Sequence, residues 1–223
     1  MTCTEQDYVK GFSYTEYRCS IRDDQGNSYT LSYPQIHVES EDIQTLNKRL
    51  KSNFESCKEN IIYKSNSNKL ELGSYSSINY AIYSDSKMVS VLVSQEDIEN
   101  IEFSTSSSRV TYNFSKENGK QLSESEVKTL YSINLDFSSN LRSKVIKMYA
   151  SNFGYNYYAT NSRNQKFDES IENVTLSNIQ NIFVTQDGEI CFFLNLYNPT
   201  FFQNIRYQVT VNQKNEVELK IAS

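Results

Sequence analysis

The chain has 223 residues, enough to bury a core as one large domain or two small ones, and its 22 Lys and Arg against 27 Asp and Glu leave a net charge of -5. With a pI near 5.1 it exerts no general attraction on phosphate backbones or anionic lipid, which argues against nucleic acid as a partner. Trp is absent, so 17 Tyr and 12 Phe carry most of the large apolar surface, and no stretch approaches the roughly 20 apolar residues of a membrane span.

In chain order, "YTEYRCSIRDDQGNSYTLSYPQI" sets two Tyr-rich runs around a Gly-containing turn, the signature of a β-hairpin. Tyr17, Cys19 and Ile21 alternate on one side of the turn, and Tyr29, Leu31 and Tyr33 on the other. Pro34 is expected to end that strand, because proline cannot donate to a ladder. Glu39, Glu41 and Asp42 then gather where a helix N-terminus favours negative charge, which predicts a helix starting near Ser40. Its stripe is Ile43, Leu46, Leu50, Phe54 and Cys57, at steps of three and four.

"SSINYAIYSDSKMVSVLVSQ" alternates through Ile78, Tyr80 and Ile82, turns at "SDSK", and alternates again through Val89, Val91 and Val93. A strand through Val110, Tyr112 and Phe114 follows, then a turn at Asn118-Gly119 and a capping box from Ser123 to Glu126. That box opens a short helix through Val127 and Leu130. A further helix is expected from about Ser139 to Ser151, ended by Gly154. The last third returns to strands, with hairpins centred on Asp187-Gly188 and on "NQKN". Short turns join neighbouring strands, so the expected class is α+β: mainly antiparallel sheets with about three amphipathic helices packed on them. The polar stretch "STSSSR" at 104 to 109 is the best boundary, giving subdomains 1–104 and 105–223 unless the two run on as one continuous domain.

The sequence carries few chemical motifs. His37, the single histidine, lies between Pro34 and the helix start with no nucleophile or carboxylate motif near it, and reads as a structural or surface residue. GxSxG, HExxH, GxGxxG and the phosphate-binding P-loop are all absent. Cys3, Cys19, Cys57 and Cys191 form no CxxC pair, so neither a metal site nor a cofactor is predicted. A Cys19–Cys57 disulfide is open in an oxidising compartment, and Cys3 fits a lipoprotein attachment cysteine. "DDQGN" lacks the spacing of a calcium loop, and Glu124 and Glu126 belong to helix-start chemistry. No catalytic residue is assigned.

Two aromatic groups stand out as candidate binding residues. Phe153, Tyr155, Tyr157 and Tyr158 cluster beyond a helix end in "NFGYNYYATN", and Phe201 and Phe202 follow the Asn198-Pro199 turn in "YNPTFFQN". Both compositions suit anchoring of a protein or stacking on a sugar, and both also suit plain packing in a Tyr-rich chain.

The segments "SYPQIHVESEDIQTLNKRL", "INYAIYSDSKMVSVLVS", "VTYNFSKENGKQLSESEV" and "NIFVTQDGEICFFLNLYNPTFFQNIRYQVTVN" resemble, in order, the paired domains of unknown function of bacterial cell-envelope proteins, from about residue 10 to 213. That family includes the extracytoplasmic domain of RsiV-like lysozyme-sensing anti-sigma factors and the N-terminal module of PdaC-like peptidoglycan deacetylases. The chain departs from its pattern at "STSSSR" and "TFFQNIR". The resemblance implies a non-catalytic extracytoplasmic binding or sensor module, at the cell surface or held to the membrane by a leader or anchor outside these residues. The implied ligand is a lysozyme-like protein or cell-wall glycan. The alternatives are an accessory domain of a peptidoglycan-modifying enzyme and a structural lipoprotein.

Overall fold

The computed structural model describes residues 2–9, 12–23, 26–66, 75–100, 104–155 and 162–222, and it divides into two compact units, Met1–Gln121 and Leu122–Ser223. The first carries strands β1 (Thr2–Val9), β2 (Phe12–Arg22) and β3 (Ser28–Ile36), helix α1 (Glu41–Asn66), and strands β4 (Tyr75–Ser84), β5 (Met88–Asn100) and β6 (Ser104–Ser115). The two-residue strand β7 (Gln121–Leu122) leads into the second unit. There helices α2 (Glu124–Leu130), α3 (Leu135–Phe153) and α4 (Ser162–Glu172) precede strands β8 (Gln180–Val184), β9 (Ile190–Asn198), β10 (Gln203–Val211) and β11 (Val217–Ile221). The class is α+β. No helix among the described residues is long and apolar enough to cross a membrane.

The strands of the first unit lie side by side in sequence order, and among the described residues the pairings of β1 to β6 are all antiparallel but one. The exception is β3 with β4, which run parallel through Tyr29↔Ser76 to Leu31↔Ile78 because the chain crosses over through α1. The apolar alternation is realised as expected: Tyr29, Leu31, Tyr33, Ile78, Val89, Val91 and Phe114 form one buried cluster with Ile43, Leu46, Leu50 and Phe54 of α1. α1 runs past the expected stripe to Asn66 and buries Ile61 as a further apolar contact.

Pro34 does not end its strand, contrary to the expectation. β3 continues to Ile36, with Pro34 opposite Glu16 of β2. β4 registers only with Tyr29 to Leu31, so at Pro34 the other side of β3 is an edge, where a residue without an N–H is tolerated. The side chain of Asn47 on α1 closes that edge: its Oδ1 accepts from Ile36 N–H at 2.9 Å and its Nδ2 donates to the Ile36 carbonyl at 2.8 Å. The polar stretch at 104 to 109 is likewise no linker. It is the start of β6, paired with β5 from Asn100↔Ser104 onward, and the chain passes between units at Gln121 rather than at residue 104.

Burial of Tyr29, with Asp23 Oδ2 3.4 Å from its hydroxyl, pushes that phenol from 10.0 up to about 12. An unfolded chain releases this proton near 10, so the stabilisation is intact below that pH and is lost as pH rises toward 12. Tyr29→Phe should therefore flatten the fall in urea midpoint between pH 10 and 12, and an unchanged slope would refute the assignment.

The second unit is built from helices followed by a four-stranded antiparallel meander in the order β11-β10-β9-β8. α2 begins with the expected capping box, in which Ser123 N–H donates to Glu126 Oε2 at 2.8 Å and Glu126 N–H to Ser123 Oγ at 3.3 Å. Glu124 Oε1 accepts from Asn181 N–H at 2.8 Å and ties α2 to β8. α3 starts at Leu135 rather than near Ser139, because Asn134 caps it by accepting from Phe137 N–H at 3.0 Å. α4 is a helix beyond the three expected; α4 packs on β9.

Candidate functional site

The C-terminal end of β9 brings Phe153 and Tyr155 of the first aromatic group and the Phe201–Phe202 turn to one end of the second unit. Gly154, in the left-handed region at φ 64°, stops α3 and turns the chain so that Tyr155 N–H reaches the Tyr149 carbonyl at 3.2 Å. The Tyr155 ring is thereby buried against Tyr149 and Phe167, and its hydroxyl donates to Asp168 Oδ1. Phe153 is half-buried and stacks on Phe167 with ring centres 6.2 Å apart. Tyr197 of β9 joins the same cluster: its carbonyl accepts from the Tyr149 hydroxyl at 3.1 Å, its N–H donates to Ser170 Oγ at 2.6 Å, and the Lys166 ammonium sits 5.3 Å from its ring centre. Burial holds the Tyr149 phenol well above its usual value. Phe153 and Tyr155 thus pack α3 and α4 onto β9, while Tyr157 and Tyr158 lie outside the described residues.

One residue beyond Tyr197 the chain leaves this core through a turn that closes the β9–β10 hairpin between Asn198 and Gln203. Asn198 is buried, and its Oδ1 accepts from Thr200 N–H at 2.8 Å and from Phe201 N–H at 3.3 Å. Its Nδ2 donates to the Tyr207 hydroxyl at 2.6 Å across the hairpin. An Asn whose side chain bonds the backbone two and three residues on is a self-contained turn former, and Pro199 removes one further torsion. The sequence marked this turn by its Asn-Pro pair. It did not show that the Asn side chain is committed inward to Tyr207.

The turn presents Phe201 and Phe202, which are 55% and 77% exposed. Phe202 also holds φ at 58°. A bulky side chain in the left-handed region costs about 1 kcal/mol, and two large rings in water gain nothing from burial. The residues brought together are therefore a rigid, aromatic-tipped turn on a packed aromatic base.

Elsewhere the earlier candidates fall into structural roles. His37 is exposed, and its Nε2 shares a 2.7 Å hydrogen bond with Thr15 Oγ1. Cys19 is a buried thiol and Cys57 Sγ lies 3.8 Å from Ser76 Oγ, so these two do not form the disulfide left open by the sequence. Among the described residues no group of three His, Cys, Asp or Glu side chains is placed to hold a metal ion. Compared with known protein families and with curated proteins, the chain matches no family model and no curated sequence.

Proposed function

We propose that this chain is a non-catalytic, extracytoplasmic binding or sensor module of a bacterial envelope protein, and that it grips a protein partner through the Phe201–Phe202 turn. The observation that carries the reading is Phe202, which is 77% exposed and at φ 58° in a turn fixed by the buried Asn198. Aromatic anchors held rigid before contact bind with little loss of side-chain freedom, which is how a few residues come to dominate an interface. The resemblance to paired envelope domains, with the lysozyme-sensing anti-sigma factors among them, makes a lysozyme-like protein the first partner to test, while the departure from the family pattern at "TFFQNIR" falls on this turn and makes its anchors this chain's own. Calorimetric titration with lysozyme tests it: saturable heat at a one-to-one ratio is expected, and the absence of heat removes lysozyme as the partner.

A further inference from the structure

A cleft of about 400 Å³ opens in the second unit between the start of α3 and the β10–β11 hairpin. That volume lies within the range of small-molecule sites, roughly 300–1,000 Å³. Its floor is apolar: Leu141 and Val211 are buried, and Phe137 and Val217 are half-buried, with the Phe137 ring centre 6.3 Å from that of Phe192. The rim is polar, formed by Ser132, Asn134, Asn140, Lys144 and Asn215. Positions 137, 140, 141 and 144 recur at three- and four-residue steps, so one face of α3 supplies the ring, an amide, a floor residue and the ammonium.

Both walls are fixed. On one side Ser132 takes φ 56° where α2 ends, its N–H bonded to the Thr129 carbonyl at 3.2 Å. On the other, Asn212 Oδ1 accepts from Lys214 and Glu216 N–H, both at 2.9 Å, and holds Asn215 at φ 59°. Left-handed backbone at non-glycine residues thus lines this cleft from two walls, a placement that recurs at binding sites.

The rim groups are also uncommitted. Apart from Asn134 Oδ1, which caps α3, the side chains of Ser132, Asn140, Lys144 and Asn215 hydrogen-bond nothing among the described residues. No carboxylate lines the cleft, so Lys144 is its one charge in a protein of net charge -5.

We infer that this cleft binds an N-acetylated saccharide that carries a carboxylate. The Lys144 ammonium pairs with the carboxylate, a charge-assisted contact. The side-chain amides offer donors and acceptors together, matching an acetamido group and hydroxyls. The single ammonium balances a carboxylate but leaves half the charge of a phosphate dianion unpaired. The Phe137 ring meets the apolar face of a pyranose. The site shares no residue with the Phe201–Phe202 turn and does not rest on it.

The test is a titration of the full isotope-labelled chain with N-acetylmuramic acid and, separately, with N-acetylglucosamine, followed by backbone amide shifts. Saturable shifts confined to residues 132–144 and 211–217 are expected, with the acidic sugar bound about tenfold more tightly. Lys144→Met should abolish that preference and leave the neutral sugar's binding in place, whereas a double Phe201→Ser, Phe202→Ser variant should change neither. Absence of saturable shifts at these amides at millimolar sugar would overturn the assignment, as would an unchanged preference in the Lys144→Met protein. So would shifts there with acetyl-alanyl-alanine but with neither sugar.

Discussion

Phe167→Ala is expected to destabilise the second unit by about 3–5 kcal/mol, a large share of the roughly 5–15 kcal/mol that holds an ordinary domain. Phe167 is 0% exposed, and its ring centre lies 4.8 Å from that of Tyr149, 5.3 Å from Tyr155 and 5.6 Å from Tyr197. Truncation leaves a void bounded by rings that are themselves pinned, Tyr149 by the Tyr197 carbonyl and Tyr155 by Asp168, so the site cannot collapse to fill it. Urea denaturation followed by near-ultraviolet dichroism of the tyrosines measures the loss. Phe167→Leu, which keeps most of the volume, should cost markedly less. A cost below about 1 kcal/mol for the alanine variant would mean the cluster is loosely packed and the base of the turn is not rigid.

The second expectation concerns function with stability left intact. If the Phe201–Phe202 turn is the anchor, the double Phe201→Ser, Phe202→Ser variant should weaken partner binding by about a thousandfold, in keeping with about 2 kcal/mol per anchor residue. The denaturation midpoint should stay in place, since both rings are largely in water. Phe202→Gly sharpens the point. Glycine adopts a φ of 58° without the penalty a phenylalanine bears, so this variant should fold at least as stably as the parent while binding poorly. A variant that loses stability and retains its partner would show instead that Phe202 serves the hairpin.

Sequence pattern located most of this framework where side chains follow a single period. Tyr80 faces Val93 and Ile82 faces Val91 strand to strand, as their alternation required, with Val89 opposite Ser84 and Ile78 opposite Gln95. The capping box from Ser123 to Glu126 was legible because two local hydrogen bonds define it. α4 was not, since among its described residues the buried apolar positions are Phe167 and Ile171, one turn apart, with Ser170 beside them. Two residues are too short a stripe to stand out from a loop. Pro34 misled for a different reason: whether a proline breaks a strand depends on which neighbour lies alongside, and that neighbour, β4, comes from some 45 residues further on. The aromatic groups were visible as composition, but composition does not separate Tyr155, buried on Asp168, from Phe202, held out in solvent. The cleft at α3 escaped altogether, because its residues come from the end of α2, one face of α3 and a distant turn.

The parallel join of β3 to β4 has a kinetic consequence. Leu31 and Ile78 are separated in the chain by α1, whereas β2 with β3, β4 with β5 and β5 with β6 pair as antiparallel neighbours in sequence. Hairpins close in microseconds, and a loop of this length closes late. The β2–β3 pair and the β4–β5–β6 meander should therefore form early and wait for each other, so that the folding barrier of the first unit lies in zipping Tyr29–Leu31 against Ser76–Ile78.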